Sequence, residues 1–375
     1  MNEEFRLDPD LAHLNHAAVA PWPVRTAEAV RRFAEENAEL GAWHYRRWGE
    51  REQSLRERLQ RLINAPSPDD IALLKNTSEG LSVVAHGLPW HPGDNVVAIR
   101  QDFPSNRIVW QSLDEYGVET RLVDLSEAPD DPEGALLAHV DRRTRLLAVS
   151  SVQYTNGLRL QPERLGRYCR AHGILFCVDA IQQLGALPFD VQACEADFVV
   201  ADGHKWMLGP EGIALFYCRP ELRPELRLRQ YGWHMVEHPH DFQALDWRPA
   251  DSARRFECGS PNMLGIHGLE ASLSLLEEVG IDAVAGAVAQ RVQQLRTGLE
   301  ARGAELLSPE SAPRRSGILT FRFPHYSSES LFQGLRASGV LCALRGEGIR
   351  FSPHFYTPDA SIEKALTAVD ACLEA

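Results

Sequence analysis

Residues 196–217 read ADFVVADGHKWMLGPEGIALFY and decide the fold class. An apolar strand runs into a turn that holds Asp202, Gly203, His204 and Lys205, and a glycine-bounded loop leads into a second apolar strand. Lys205 is therefore expected just beyond a strand end, where α/β sheets place their sites. A lone lysine in a turn is most often a solvated surface residue, because lysine is rarely buried. A chemical role for Lys205 therefore needs support from other motifs.

A regular alternation of strands and helices surrounds this stretch. From about residue 70 to 220, short β-branched runs alternate with helical stretches, the pattern of a mostly parallel sheet covered by helices. The candidate strands are 71–74, 95–100, 118–123, 145–149, 174–179, 197–201 and 213–217. The sequence therefore predicts an α/β fold whose large domain contains a mostly parallel seven-stranded sheet.

The rest of the chain predicts a small α+β domain. Residues 221–255 are irregular and rich in Pro, His, Trp and Arg, and a long helical stretch opens at about Asn262. Further helices are expected at 282–302, 328–338 and 358–373, and strands at 317–323, 340–344 and 348–352. We divide the chain into an N-terminal arm, 1–20, that packs with the small domain, a large domain, 21–255, and a small domain, 256–375.

Composition and charge narrow the possible functions. Of the 375 residues 44% are hydrophobic, and no apolar run approaches the roughly 20 residues that span a bilayer. The N-terminus lacks the pattern of a secretory signal, and the seven cysteines form no C-x-x-C pair. The net charge of −13 works against nucleic-acid binding. We expect a cytoplasmic protein with reduced thiols, no metal site, and no membrane or nucleic-acid partner.

Lysine chemistry has few candidates in this chain. Nearly all basic residues are arginine, and the three lysines are Lys75, Lys205 and Lys364. Lys364 lies on a terminal helix that we expect to be exposed. Lys75 precedes a candidate phosphate loop, so its ammonium group is better suited to pairing with a charge than to forming an imine. Lys205 is the remaining candidate for covalent chemistry.

Residues 73–88, LLKNTSEGLSVVAHGL, lead from a strand into an amphipathic helix. Thr77 and Ser78 place hydroxyl groups at the start of that helix, where free N–H groups and the helix dipole bind phosphate. The alternative is a plain N-cap with a glutamate nearby. The motif alone leaves both interpretations open.

Residues 173–185, GILFCVDAIQQLG, contain an apolar strand that ends at Asp179, with Gln182 three residues later. A carboxylate at this position can keep a pyridine nitrogen protonated, because an opposite charge in a low-dielectric site favours the cationic form. A protonated ring acts as an electron sink. The alternative is that Asp179 caps the next helix.

The three motifs follow one another in a set order: the phosphate loop, Asp179, and Lys205 26 residues later. This order and spacing resemble the class V aminotransferase group, which includes cysteine desulfurases, kynureninases and isopenicillin N epimerases. The resemblance runs from HLNHAA at 13–18 to the C-terminal helix. It implies a fold type I enzyme that binds pyridoxal 5′-phosphate and acts on a small amino acid, as a homodimer with composite active sites.

The resemblance also assigns roles to individual residues. Catalysis falls to Lys205, the Schiff-base lysine, to Asp179 at the pyridine nitrogen, and to His204. Cofactor contacts are implied for Thr77, Ser78, Phe103, Asn106, Tyr154, Asp179, Gln182, Asp202, His204, Lys205 and Ser260. Among these, Phe103 would stack on the ring, Gln182 would face the ring hydroxyl, and Ser260 would be donated across the dimer.

Three of these assignments carry an open question. Asn106, in the same loop as Phe103, would either reach the phosphate or cap the following helix. Asp202 stands where many relatives have serine, and an acid near a phosphate is repulsive, so we expect Asp202 to turn away or to pair with a cation. In the segment 150–157, SSVQYTNG, many relatives carry an asparagine near the ring. Either Gln153 or Tyr154 would serve in its place.

Substrate contacts are implied at both ends of the chain. Arg350 matches the family's carboxylate clamp, and the planar fork of arginine pairs bidentately with a carboxylate. Arg345, Asn15, His16 and Ala17 are the further substrate-binding candidates. The alternative for Arg350 is an ordinary surface arginine on an edge strand.

The resemblance implies that an external aldimine forms and that the freed Lys205 moves the Cα proton. Transamination, epimerisation and C–S elimination all begin in this way. Cysteine desulfurases carry a nucleophilic cysteine on a mobile loop between the two arginines, whereas only four residues separate Arg345 from Arg350. Cys342 lies before them in an apolar run, and we expect it to be a buried structural thiol.

Three alternatives to this function remain. The first is a cysteine desulfurase or selenocysteine lyase of the same family. The second is a binding or regulatory protein that kept the fold and lost catalysis. The third is a nicotinamide-dependent dehydrogenase, against which stands the lack of a G-x-G-x-x-G motif after a strand.

Overall fold

The computed structural model describes residues 3–374. Its strands are β1 (Ala12–His13), β2 (Ile71–Leu74), β3 (Asn95–Ile99), β4 (Glu119–Val123), β5 (Thr144–Ser150), β6 (Leu175–Asp179), β7 (Phe198–Asp202), β8 (Ala214–Cys218), β9 (Glu305–Leu306), β10 (Leu319–Arg322), β11 (Val340–Leu341), β12 (Ala343–Arg345) and β13 (Gly348–Phe351). Its α-helices are α1 (Val24–Leu40), α2 (Tyr45–Leu62), α3 (Thr77–Gly87), α4 (Ser105–Gln111), α5 (Pro132–Ala138), α6 (Pro162–His172), α7 (Met263–Val279), α8 (Ile281–Glu300), α9 (Ser328–Ala337) and α10 (Asp359–Glu374).

The large sheet contains the strands expected from the β-branched runs. Its order is β2-β8-β7-β6-β5-β3-β4. Strand β8 runs antiparallel to its neighbours β2 and β7, and the other pairs are parallel. The prediction of a mostly parallel seven-stranded sheet is confirmed. Parallel sheets are covered on both faces, which is why these strands read as continuous apolar runs.

Alternate side chains of the sheet enter two different cores, as the two-residue period of a strand requires. On β6, Phe176 and Val178 pack into one apolar cluster, and Leu175 and Cys177 into the other. Helices α3 and α4 cover the second face. The sheet is therefore buried on both sides, and polar side chains collect at its edges.

The C-terminal region forms a second, antiparallel sheet in the order β12-β13-β10-β9. The prediction of a single strand at 340–344 is wrong, because this segment forms two short strands with different partners. Strand β11 pairs in parallel with β1 of the N-terminal arm, whereas β12 pairs with β13. Asn15 continues the arm with a bridge to Ser352. Helix α7 packs on α1 and α2. The domain boundaries at 20 and 255 stay a prediction.

Two further properties concern the whole of the described chain. No helix between residues 3 and 374 is long and apolar enough to cross a membrane. The cysteines of this range form no disulfide, and all of them are buried except the partly exposed Cys258.

Candidate active site

Three buried carboxyl groups gather at one edge of the large sheet. Asp179 ends β6, Asp202 ends β7, and Asp102 lies shortly after β3. Strands β3, β5, β6 and β7 run parallel, so their carboxyl ends meet at the same edge. The sequence analysis found Asp179 and Asp202 and missed Asp102. Asp102 could have been found from the sequence, because it is an acidic residue shortly after an apolar strand and directly before Phe103.

Lys205 lies in the loop that connects the adjacent antiparallel strands β7 and β8. Hydrogen bonds from Gly203 N to Ile213 O (2.9 Å) and from Gly209 N to Gly203 O (2.8 Å) close this loop. The Lys205 Nζ lies 5.6 Å from the centroid of the Phe103 ring. Burial lowers the pKa of Lys205 to about 8, Asp179 opposes this shift, and Arg350 adds to it.

The turn around Lys205 is fixed by its neighbours. Gly185 has a φ of +95°, and a Cβ there would lie 2.3 Å from the Trp206 carbonyl oxygen, so only glycine allows the close approach. Trp206 Nε1 donates to Gln182 Oε1 (2.8 Å), and Gln182 Nε2 donates to Ala17 O (3.0 Å). Ala20 N donates to His204 O (2.9 Å). Trp206, which the sequence analysis missed, thus holds Lys205 in place from the adjacent position.

Asp179 is held by two hydrogen bonds. Asn106 Nδ2 donates to Asp179 Oδ2 (2.6 Å), and Ile181 N donates to Oδ1 (2.9 Å). Burial raises the pKa of Asp179 from its ordinary value, and these two hydrogen bonds oppose the rise. The structure thus places the Asn106 amide against Asp179, a contact that the sequence did not predict.

The start of α3 brings Thr77 and Asp202 together. Thr77 N donates to Asp202 Oδ1 (3.2 Å), and Asp202 N donates to Thr77 Oγ1 (3.1 Å). Burial raises the pKa of Asp202 to about 6, and the hydrogen bond from Thr77 opposes this rise. The carboxyl group of Asp202 thus points to the helix N-terminus, and its nearest side-chain nitrogen of a basic residue is His204 Nδ1, 3.9 Å away.

Other polar groups surround the same helix end. Asn76 caps α3, because its Oδ1 accepts from Glu79 N (2.9 Å). The capping interpretation is therefore correct for Asn76, and it leaves the hydroxyl groups of Thr77 and Ser78 at the same end. Ser78 Oγ lies 2.9 Å from Ser105 Oγ, a hydroxyl that the sequence analysis missed. Burial, followed by the charge of Lys205, lowers the pKa of His204 to about 4.

Gln153 and Tyr154 face different partners. Gln153 Nε2 donates to Asp102 Oδ1 (2.7 Å), and both side chains are buried. Tyr154 lies edge-on to Phe103, with ring centroids 5.3 Å apart. Phe103 is in turn beside Lys205, so Tyr154 packs against the aromatic neighbour of the lysine. The Gln153 amide nitrogen is held by Asp102, and its Oε1 has no partner within residues 3–374.

Arg350 is 1% exposed and forms no ion pair with any residue in 3–374. Its Nη1 donates to Tyr154 O (2.7 Å), its Nη2 reaches Asn15 Oδ1 (3.4 Å), and its Nε has no partner. Burial and the nearby charge of Arg345 lower the pKa of Arg350. A buried guanidinium without an acid is costly unless an anion joins it. The alternative, a surface arginine on an edge strand, is therefore wrong, because Arg350 is buried and β13 is an interior strand of its sheet. The carboxylate clamp stays a prediction.

The N-terminal arm closes one side of this region. His16 is fully buried, with Nδ1 2.8 Å from Ser352 O and Nε2 2.6 Å from Tyr356 OH, so both ring nitrogens are occupied within the protein. Ala17 N donates to Ser352 Oγ (3.0 Å). Asn15 is the arm residue whose side chain reaches Arg350.

One predicted cofactor residue lies apart from this cluster. Ser260 is exposed on a rim that it shares with Lys75 and Glu79, and within residues 3–374 its side chain makes no hydrogen bond to the groups around Lys205. The other lysines are also occupied elsewhere: Lys75 is 3.8 Å from Glu79, and Lys364 Nζ donates to Asp10 O (2.5 Å). Lys205 is half-buried, and burial lowers its pKa to about 8.

The edge of the α/β sheet holds a half-buried lysine and buried carboxyl groups, and the small sheet adds a buried arginine without an acid partner. Such a group of perturbed charges is typical of an enzyme site. Residues 13–354 match the family model for Aminotransferase class-V. The chain belongs to the class V aminotransferase family and is a pyridoxal-phosphate-dependent enzyme.

Individual relatives agree with this family. The chain is 31% identical over 348 residues to a probable cysteine desulfurase of Methanothermobacter thermautotrophicus, covering 90% of this chain and 84% of that protein. It is 28% identical to the uncharacterized aminotransferase YcbU of Bacillus subtilis, covering 86% and 84%.

Two solved structures share the fold. A complex of the cystine C–S lyase C-DES with its reaction product cysteine persulfide superposes with a TM-score of 0.90 at 23% identity, over 96% of this chain and 97% of that one. An apo cysteine desulfurase from Thermococcus onnurineus NA1 gives 0.85 at 22% identity, over 97% and 95%.

Proposed function

We propose that this enzyme carries its cofactor on Lys205 and acts on a small α-amino acid, whose Cα proton Lys205 moves. The observation that carries the proposal is a half-buried lysine on which the charges of Asp179 and Arg350 both act, since the first suits a ring cation and the second a substrate carboxylate. A protein that had merely kept the fold would have no need for a buried arginine without an acid partner.

The groups at the sheet edge fit pyridoxal phosphate. Asp179 would hold the ring nitrogen, and Asn106 orients that carboxyl group through its 2.6 Å hydrogen bond. Ser78 and the hydroxyl group of Thr77, at the N-terminus of α3, would hold the phosphate together with His204, while the Thr77 backbone N–H stays with Asp202. Phe103 and Tyr154 would bound the ring, and Gln182 would lie at its hydroxyl. When bound, the protonated cofactor ring withdraws electrons from the substrate Cα.

Lys205 would serve as the base and acid at the substrate Cα. Its pKa of about 8 leaves an appreciable neutral fraction near physiological pH, so Nζ can both accept and return a proton. Trp206 and Gly185 keep the backbone of the lysine in place while its side chain moves.

The fate of the substrate carbanion distinguishes several enzymes of the family: an aminotransferase, an isopenicillin N epimerase-like enzyme and a C–S lyase. A cysteine desulfurase is the second candidate, because curated relatives carry that name. The burial of Cys342 disfavours a protein-bound persulfide, since a thiolate nucleophile needs access. Product analysis over a panel of amino acids would separate keto acid, inverted amino acid and sulfide.

We also infer a cytoplasmic homodimer with composite sites. Ser260 is exposed and apart from the Lys205 cluster of its own chain, as expected for a residue that completes the phosphate site of a second copy. The free cysteines of residues 3–374 support a reducing compartment.

Attachment of the cofactor at Lys205 can be tested directly. Borohydride reduction of the purified protein followed by peptide mapping should place a pyridoxyl label on Lys205, because burial lowers its pKa to about 8 and its amine is available to a carbonyl. Lys75 and Lys364 are the internal controls. A label on either of these, with Lys205 unmodified, would refute the proposal.

A further inference from the structure

Two arginines share one face of the small sheet. In the β12–β13 pair Ala343 stands opposite Arg350, and Arg345 stands opposite Gly348. Side chains of a strand alternate between faces, so Arg345 and Arg350 emerge on the same face as diagonal neighbours, with Cα atoms roughly 7 Å apart. Arg350 Nη1 donates to Tyr154 O (2.7 Å), and Tyr154 packs on Phe103 beside Lys205, so this face of the small sheet is turned to the active site.

A third arginine on this face provides a comparison. Arg322 is two residues beyond Thr320, which stands opposite Arg350, so it belongs to the same face. Arg322 Nε donates to Glu305 (2.8 Å), and a second ion pair joins Arg322 to Glu347. This sheet face therefore neutralises an arginine where no ligand is needed.

Arg345 and Arg350 have no such counterions. Within residues 3–374 neither forms an ion pair, and Arg345 Nη1 donates only to the carbonyl oxygen of Leu344 (2.8 Å). The carboxyl groups of the site are engaged elsewhere, Asp179 by Asn106 and Asp202 by Thr77. Two adjacent, partly desolvated guanidinium groups repel each other, and this cost is offset when anions bind.

One substrate α-carboxylate accounts for only one of these cations. We propose that the substrate is a dicarboxylic amino acid, whose α-carboxylate binds Arg350 and whose side-chain carboxylate binds Arg345. The inference rests on the proposed function, because it extends the substrate site of the same active centre. Arg345 thereby determines specificity, since a substrate whose side chain is uncharged but of the same size would leave the Arg345 guanidinium without a partner.

Matched pairs of ligands test the inference on the holoenzyme. L-aspartate with L-asparagine, and L-glutamate with L-glutamine, differ in charge at nearly constant shape. Each is titrated while the absorbance of the bound cofactor is followed. We expect the acid of at least one pair to bind roughly 10- to 100-fold more tightly than its amide, as for loss of a hydrogen bond to a charged group.

Variants test whether Arg345 causes this preference for the acid over its amide. In Arg345→Gln the acid should lose most of its advantage over the amide, and Arg345→Lys should retain part of it because the charge remains. Arg322→Gln is the matched control, since it removes a charge from the same sheet face and should preserve the preference. Equal affinity of acid and amide in the wild type, or equal weakening of both by Arg345→Gln, would overturn the inference.

The outcome also separates the two proposals. If L-alanine and the amides change the cofactor absorbance but the acids bind no better, the dicarboxylate inference fails and the proposed function stands. If no amino acid changes the absorbance and Lys205 carries no pyridoxyl label, both fail.

Discussion

At the scale of single residues, the site is marked by carboxyl groups that burial keeps partly protonated. Burial raises the pKa of Asp102 to about 7 against hydrogen bonds from Gln153 and Ser150, and it raises the pKa of Asp202 to about 6. These groups lie in the low-dielectric region beside Lys205, so their charge state affects every other charge there.

Asp102 should make stability depend on pH. Its folded pKa is raised from 3.8 to about 7, so the folded chain holds a proton that the unfolded chain has already released. This contribution to the unfolding free energy is complete below about pH 4 and is lost as the pH rises to about 7. The free energy of unfolding of the cofactor-free protein is measured in urea at pH 5 and pH 8. Between these pH values it should fall by a few kcal/mol more in the wild type than in Asp102→Asn. A constant difference between the two proteins would contradict this.

Cys342 should not carry sulfur during turnover. It lies between β11 and β12 and is 3% exposed, and burial raises its pKa to about 12, so it is a protonated thiol at neutral pH. Cys342→Ala should therefore keep any activity towards L-cysteine or L-cystine. Mass spectrometry of the wild type after turnover is the second measurement. An added sulfur on Cys342, together with loss of activity in Cys342→Ala, would indicate a cysteine desulfurase instead.

At the scale of elements, a buried ion pair joins helix α2 to the large sheet. Arg56 donates to both carboxylate oxygens of Glu257 (2.6 and 2.7 Å) and to Glu52 (2.6 Å). It also donates to the carbonyl oxygen of Ile71, and Glu257 accepts from Leu73 N (2.8 Å). The edge strand β2, α2 and the chain after residue 255 are therefore held by one guanidinium group.

Removing this guanidinium should destabilise the fold. Arg56→Met leaves the Glu257 carboxylate buried without its partner, and breaking such a pair costs about 3–5 kcal/mol. Arg32→Met is the control, because its pair with Glu28 lies on the exposed surface of α1 and should cost less than about 1 kcal/mol. The free energy of unfolding in urea gives the comparison. Equal values for the two variants would exclude a structural role for the Arg56 cluster.

At the scale of the whole molecule, one chain exposes an unusual amount of apolar surface. Between residues 231 and 248, Phe242 is 79% exposed, Leu245 94% and Trp247 58%. Several large apolar side chains exposed in one segment are typical of an interaction site. The neighbouring loop carries the exposed Ser260, so the proposed second copy would cover apolar surface and supply Ser260 at once.

Mixing two inactive variants tests the composite site. Sedimentation should show two chains, and both Lys205→Ala and Ser260→Asp homodimers should be inactive, the second because an acid would repel the phosphate. In a mixed dimer one site combines an intact Lys205 with the intact Ser260 of the other chain. Random mixing at equal amounts should then restore about a quarter of the sites. No recovery in confirmed mixed dimers would place Ser260 outside the partner's site.

The sequence by itself determined the fold class and the central chemistry of this protein. The strands could be read because a sheet buried on both faces requires continuous apolar runs. Asp179 and Lys205 could be proposed because one ends such a run and the other lies in the turn after the next, and a strand end is a local property of the chain. The order of the motifs and the family resemblance supplied their roles.

Only the tertiary structure decided which partner each polar group finds. Asn106 meets Asp179 across 73 positions of sequence, and Thr77 meets Asp202 across 125. Pairing with β1 divides the strand around Cys342, and the β12–β13 register brings Arg345 and Arg350 to one face without acids. Such contacts depend on packing between distant segments, and no local pattern of residues encodes the absence of a counterion.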